Sequence, residues 1–178
     1  MYKLGNNILH LNNKLIYGYG GAPPHVAVLP WTVYFSGYTN GTYYDDTSNT
    51  RWTSDGGQFD TDSWWQVMNG FFEGRDMDAY KYWESEVINI SSYGNVNCHV
   101  SITEVGSLEA DDCIYLYYKL NGGVETLFAT FGSICNDFGT RLAQMGIVNG
   151  NTLQIIIRAK NNSPDEYWRF PYVKIFQV

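Results

Sequence analysis

Apolar residues recur at every second position through much of this chain. The clearest runs are 87–90 (Val-Ile-Asn-Ile), 96–103 (Val-Asn-Cys-His-Val-Ser-Ile-Thr) and 114–120 (Ile-Tyr-Leu-Tyr-Tyr-Lys-Leu). Turn formers bound them at Ser92-Tyr93-Gly94-Asn95 and at Gly106-Ser107. Period-two alternation between such turns predicts antiparallel strands. Further strands are expected over 26–35, 64–72, 125–131, 153–159 and 167–176, with Pro30 marking the first as an edge strand or a bend. Residues 132–146 are the least regular and could hold one helical turn. No window carries an amphipathic helical period of useful length. The expectation is an all-β protein: a β-sandwich with jelly-roll topology and eight to ten antiparallel strands.

The first 24 residues read differently. Two Asn-Asn pairs each lead into apolar residues, and Asn12-Asn13 is suited to turning a hairpin between 8–11 and 14–17. A glycine-rich stretch ending in Pro23-Pro24 follows as a linker. Such a hairpin is too small to fold alone. The expected division is therefore a docking hairpin and linker over 1–24 and a jelly-roll sandwich over 25–178.

Two runs depart from simple alternation. In 114–120, Ile114, Leu116 and Tyr118 fall on one face, while Cys113, Tyr115 and Tyr117 fall on the other, so both faces are apolar or aromatic. Ile155, Ile156 and Ile157 do the same. The outer face must then be covered by a subunit, by the N-terminal segment or by a ligand. This points to a homo-oligomer, a trimer being one form.

Composition narrows the functions. The chain has 178 residues, enough for one domain with a two-sheet core. Its net charge of −7 and lack of a basic run argue against a nucleic-acid partner or an anionic membrane surface. No apolar stretch of about 18 residues is present to cross a membrane as a helix, and the opening residues do not read as a secretory signal. Three cysteines with no close pairing are expected to be reduced and buried. No catalytic motif is found, and His10, His25 and His99 have no metal-ligand spacing. Glu84 and Glu86 share a strand face, closer to a solvated pair than to a hydrolytic cleft. The chain is read as no enzyme.

The candidate binding chemistry is aromatic. Trp64 and Trp65 are neighbours on a strand, so one ring enters the core and the other faces solvent, a partner or a ligand. With Trp52 and Arg51 in the nearby loop zone they form the candidate carbohydrate-binding set. Glu73, Asp76 and Asp78, with Glu166 near the end, form a candidate set for a structural calcium ion, which prefers oxygen ligands. No other cofactor is indicated.

The stretch from residue 71 onward resembles the galactose-binding-like jelly-roll modules attached to secreted Bacteroidetes polysaccharide-active and adhesion proteins. The resemblance rests on Trp83-Glu84-Ser85-Glu86-Val87-Ile88-Asn89-Ile90, on Ser92-Tyr93-Gly94-Asn95-Val96, on Gly106-Ser107-Leu108-Glu109 leading to Asp112 and the run 115–123, on Gly150-Asn151-Thr152-Leu153, and on Glu166-Tyr167-Trp168-Arg169-Phe170. Such modules often end in Phe-Asp-Asn-Val, where this chain has Phe170-Pro171-Tyr172-Val173, which removes a carboxylate that could serve calcium. The opening residues resemble the starts of small phage virion proteins. Together the resemblances imply a bacteriophage virion structural protein (capsid decoration, head fibre, spike or tail component) that contacts other virion proteins and attaches to host surface glycans. The alternative is an extracellular glycan-binding module of a secreted Bacteroidetes protein.

Overall fold

The computed structural model describes residues 28–45 and 50–178, together with two short strands near the N-terminus. Those two, β1 (His10–Leu11) and β2 (Lys14–Leu15), pair antiparallel, His10 with Leu15 and Leu11 with Lys14; the Asn12-Asn13 turn expected between them lies outside the described residues. The proposed linker and any docking of the hairpin lie outside the described residues.

The body begins with β3 (Trp31–Tyr34) and a single 3-10 turn at Phe35–Gly37. Then come β4 (Trp52–Ser54), β5 (Gly57–Asp60), β6 (Ser63–Met68), β7 (Phe71–Arg75), β8 (Lys81–Ser85) and β9 (Ile88–Asn89). The long strands β10 (Val96–Val105) and β11 (Cys113–Leu120) follow, then β12 (Thr126–Leu127), β13 (Ser133–Cys135) and β14 (Thr140–Gln144). The chain closes with β15 (Thr152–Lys160), β16 (Tyr167–Phe170) and β17 (Tyr172–Gln177). No helix among the described residues is long and apolar enough to cross a membrane.

These strands form an antiparallel β-sandwich with jelly-roll architecture. One sheet runs β3-β17-β10-β16-β7-β6-β5, with β14 also paired to β10. The other runs β12-β11-β15-β8-β4, with β13 on β11 and β9 on β15. The strands are more numerous and shorter than the eight to ten expected, because bends interrupt them. Pro171 has no N–H to give a ladder, and it divides β16 from β17 while both still pair with β10. Residues 64–72, read as one strand, are a hairpin. Asn69 and Gly70 both take positive φ, 53° and 84°, as the favoured two-residue turn requires. The helical turn considered for 132–146 does not form, and that stretch supplies β13 and β14. Pro30 does precede an edge strand, since β3 ends its sheet's order.

Alternation places the core. Val96, Cys98, Val100 and Ile102 of β10 face Ile114 and Leu116 of β11 and Leu153, Ile155 and Ile157 of β15. At one end the core is aromatic. Trp52 and Trp83 from one sheet stack 6.1 Å apart, and Phe72 meets Trp52 edge-on at 5.3 Å and Trp65 at 4.6 Å. Burying large rings with edge-to-face geometry is a strong source of cohesion.

The cysteines depart from expectation. Cys113 and Cys135 are register partners on β11 and β13, with Cα atoms 4.2 Å apart, and they form a disulfide. Only Cys98 is free, and burial pushes its thiol pKa upward. The bonded pair lie 22 positions apart in the chain, and only the strand register brings them face to face.

Candidate ligand platform on the outer sheet face

Two of the four residues expected to bind carbohydrate are in the core. Trp52 and Trp65 are fully buried, and Trp65 donates its indole N–H to the Tyr82 carbonyl at 2.9 Å. Neither ring can stack on a sugar. Arg51 is spent on structure: its guanidinium donates to the Thr32 carbonyl at 2.9 Å and lies over the Trp31 ring. Trp64 is the outward-facing member of its pair, as alternation requires. Its face is covered, however, by the Arg75 guanidinium 4.8 Å from the ring centroid, and its N–H donates to Glu73 at 3.0 Å.

The four candidate calcium ligands are not brought together. Glu73 is 1% exposed, and its second oxygen accepts from Arg169 at 2.6 Å, so both oxygens are occupied. Asp76 and Asp78 stand in the turn after β7, where burial and the Asp78 charge push the Asp76 pKa up. Glu166 lies elsewhere, against Glu109 and Asp112. Its pKa is pushed up to about 7 by burial, with the Asp112 and Glu109 carboxylates adding to the rise.

A recess lined by aromatic rings and a charged side chain lies on the other sheet. Three strands distant in sequence align Tyr115 of β11, Arg158 of β15 and Tyr82 of β8 in one row across the ladder. The next row holds Tyr117, Ile156 and Glu84. All point away from the core, since Ile114, Leu116, Ile155, Ile157 and Trp83 take the inner positions. Tyr80 precedes β8 and joins them, its ring 5.7 Å from Tyr115. The four tyrosines and Arg158 line a recess of about 190 Å³.

The Arg158 guanidinium is the centre of this recess. It lies 4.8 Å from the Tyr117 centroid and 5.1 Å from Tyr82, within cation–π range. Glu125 holds it from the rim at 2.5 Å, and Lys119 pairs with the same carboxylate at 3.5 Å. The Arg158 Nε–H is buried and has no hydrogen-bond partner. Tyr115 and Tyr117 lie nearly parallel, 24° apart. Tyr80 and Tyr82 are 39% and 38% exposed, which keeps the recess open. Partial burial, with hydrogen bonding and charge from Tyr115 and charge from Asp111, pushes the Tyr80 phenol up to about 12, so it stays a neutral donor.

Sequence reading located the strand but not the site. The two-sided character of 114–120 was the signal, and Tyr115 and Tyr117 are the outward residues it marks. Arg158, Tyr82 and Tyr80 join them only through strand register.

No known protein family model matches this chain, and no curated protein matches it. Solved structures do. TmCBM61, a carbohydrate-binding module in complex with beta-1,4-galactotriose, is 11% identical, with a TM-score of 0.49 over 78% of this chain and 92% of that one. The CBM22-1 xylan-binding domain of Xyn10C from Paenibacillus barcinonensis is 11% identical, with a TM-score of 0.38 over 88% and 98%. A ruminal GH26 endo-beta-1,4-mannanase is 12% identical, with a TM-score of 0.37, and the match spans 86% of this chain but only 27% of the enzyme. These are likenesses of fold.

Proposed function

We propose that this chain is a non-catalytic glycan-binding module whose ligand lies on Tyr80, Tyr82, Tyr115, Tyr117 and Arg158. One observation carries the reading: four tyrosine rings converge on a partly exposed guanidinium at an open recess. Flat aromatic faces suit the C–H face of a pyranose, and the phenols, Arg158, Glu84 and Glu125 supply donors and acceptors for its hydroxyls. The recess is smaller than the roughly 300–1,000 Å³ of enclosed drug-sized sites, which suits one or two sugar rings of a longer chain. Glu84 and Glu86, expected as a solvated pair on one strand face, take different places. Glu86 accepts the Trp31 N–H at 2.9 Å, while Glu84 stays on the outer sheet face.

The Cys113–Cys135 bond supports display outside a reducing cytosol, on a virion surface or on a secreted protein. Mass spectrometry of purified particles and of culture medium separates those two settings.

The test is a glycan array followed by calorimetry. Tyr117→Ala and Arg158→Ala are expected to weaken binding of the best array ligand at least tenfold. Trp64→Ala, on the opposite face, is expected to leave it unchanged. An empty array at millimolar ligand, or equal affinity in all three variants, would overturn the proposal. So would a concentration-dependent dimer or trimer that Tyr117→Ala dissociates, since the platform would then be a subunit contact.

A further inference from the structure

We propose that Glu109, Asp112 and Glu166 hold a hard divalent cation, calcium by preference, between the β10–β11 loop and the entry to β16. This site is independent of the glycan reading, and it differs from the acidic set that the sequence suggested. One oxygen of each of these carboxylates lies within 4.8 Å of the others. The three come from two connections that are far apart in the chain.

The second observation is burial without partners. Asp112 is 0% exposed and Glu166 3%, and Asp112 Oδ1 and Glu166 Oε2 are both buried with no hydrogen-bond partner. The remaining Asp112 oxygen accepts the Glu109 N–H at 3.0 Å. Among the described residues, no ion pair reaches any of the three; the nearby Lys160 ammonium is taken by Asp111 at 3.0 Å. Leaving like charges together and out of water is costly unless something neutralises them. A cation bound by oxygen ligands does so directly. The carboxylates supply much of the roughly six to eight oxygens that calcium takes, with main-chain carbonyls and water for the rest.

The surrounding backbone is built to bring the two connections close. Gly106 has φ +107°, and a Cβ there would stand 2.5 Å from the Asp165 carbonyl and 3.0 Å from the Glu166 side chain. Only glycine allows that approach. The Glu166 main chain is fixed from the other side, where its carbonyl accepts the Asn161 side-chain amide at 2.7 Å. Leu108, buried in the same loop, has its N–H held by Asp137 at 2.7 Å. These backbone contacts position the loop, and of the carboxylate oxygens Asp112 Oδ2 takes part through the Glu109 N–H, while Asp112 Oδ1 and Glu166 Oε2 remain without a partner.

The experiment uses the full chain stripped with EDTA. Calcium chloride alone is titrated in by calorimetry, and thermal unfolding is followed with and without it. The expected result is one calcium per chain and a melting temperature raised by several degrees, with a smaller rise from equal magnesium. Asp112→Asn and Glu166→Gln keep the side-chain shape and remove repulsion, so they are expected to fold and to bind calcium at least tenfold more weakly. Absence of heat and of a melting shift at millimolar calcium would overturn the site. A calcium response undiminished in both variants would place the ion elsewhere and overturn it equally. An equal shift from magnesium would overturn the preference for calcium.

Discussion

The two outer faces of the sandwich carry nearly the same side chains and do opposite things with them. Each has a cross-strand row of aromatic, arginine, aromatic: Trp64–Arg75–Tyr167 on one sheet, Tyr115–Arg158–Tyr82 on the other. The neighbouring rows differ. Beside the first lies Gln66–Glu73–Arg169, with the carboxylate at its centre. Glu73 takes the Trp64 N–H and the Arg169 guanidinium, while Arg75 lies over Trp64 and Tyr167 and Arg169 over Tyr167 and Phe71. Every charge there has a partner. Beside the second row lies Tyr117–Ile156–Glu84, with an isoleucine at the centre. The carboxylate for Arg158 comes from Glu125, at the rim. A central carboxylate closes an aromatic–arginine face; a peripheral one leaves it open with an unpaired donor.

The closed face is held by charge, and the open one by a covalent staple. Cys113 shares the outward side of β11 with Tyr115 and Tyr117, and its bond to Cys135 fastens β13 at one end of the platform. Replacing both cysteines by serine is expected to cost about 3 kcal/mol, the loop-closure value for this separation. Urea denaturation of oxidised, reduced and double-variant protein measures it. A loss well under 1 kcal/mol would mean the open face is held without the staple. On the closed face, Glu73→Ala strands a half-buried guanidinium and an indole N–H. A loss of about 2 kcal/mol is expected, below the value for a fully buried pair because Arg169 is partly solvated. If Glu73→Ala unfolds at the wild-type urea midpoint, the centrality of that carboxylate is not what closes the face.

The sequence made alternation legible, and with it the sandwich, the inward and outward split of Trp64 and Trp65, and the unusual outer face of 114–120. The features it hid all depend on pairing between distant strands. Nothing local in Tyr82, Tyr115 and Arg158 says that they share one row. Nothing in the spacing of Cys113 and Cys135 says that β13 returns beside β11. Tryptophan was the natural residue to suspect of binding sugar, but its size makes it the best filler of a two-sheet core. Trp52 and Trp65 are used that way, and the smaller, amphipathic tyrosines are left outside. The acidic turn at 73–78 looked like a ligand set because its carboxylates are close in sequence. Strand alternation points Glu73 to the outer face of its sheet, and Glu166 finds its neighbours in another loop.

The smallest expected effect lies at the far end of the closed face. His99 stands in register between Gln144 and Lys174, with its ring 4.7 Å from Phe176. Burial lowers its pKa below the usual 6.5, and the Lys174 ammonium lowers it further. The folded state therefore prefers the neutral ring. Its contribution to stability is present above the unfolded value and is lost as pH falls through the lower folded value. Between about pH 8 and pH 5, His99→Gln should lose slightly less melting temperature than the wild type, the carboxylates contributing equally to both. An NMR titration of the ring gives the direct reading. Its midpoint should fall below 6.5 and move back upward in Lys174→Gln. A midpoint unmoved by that change would leave burial as the whole cause, and would show that this end of the face, unlike the Glu73 end, is not organised by charge.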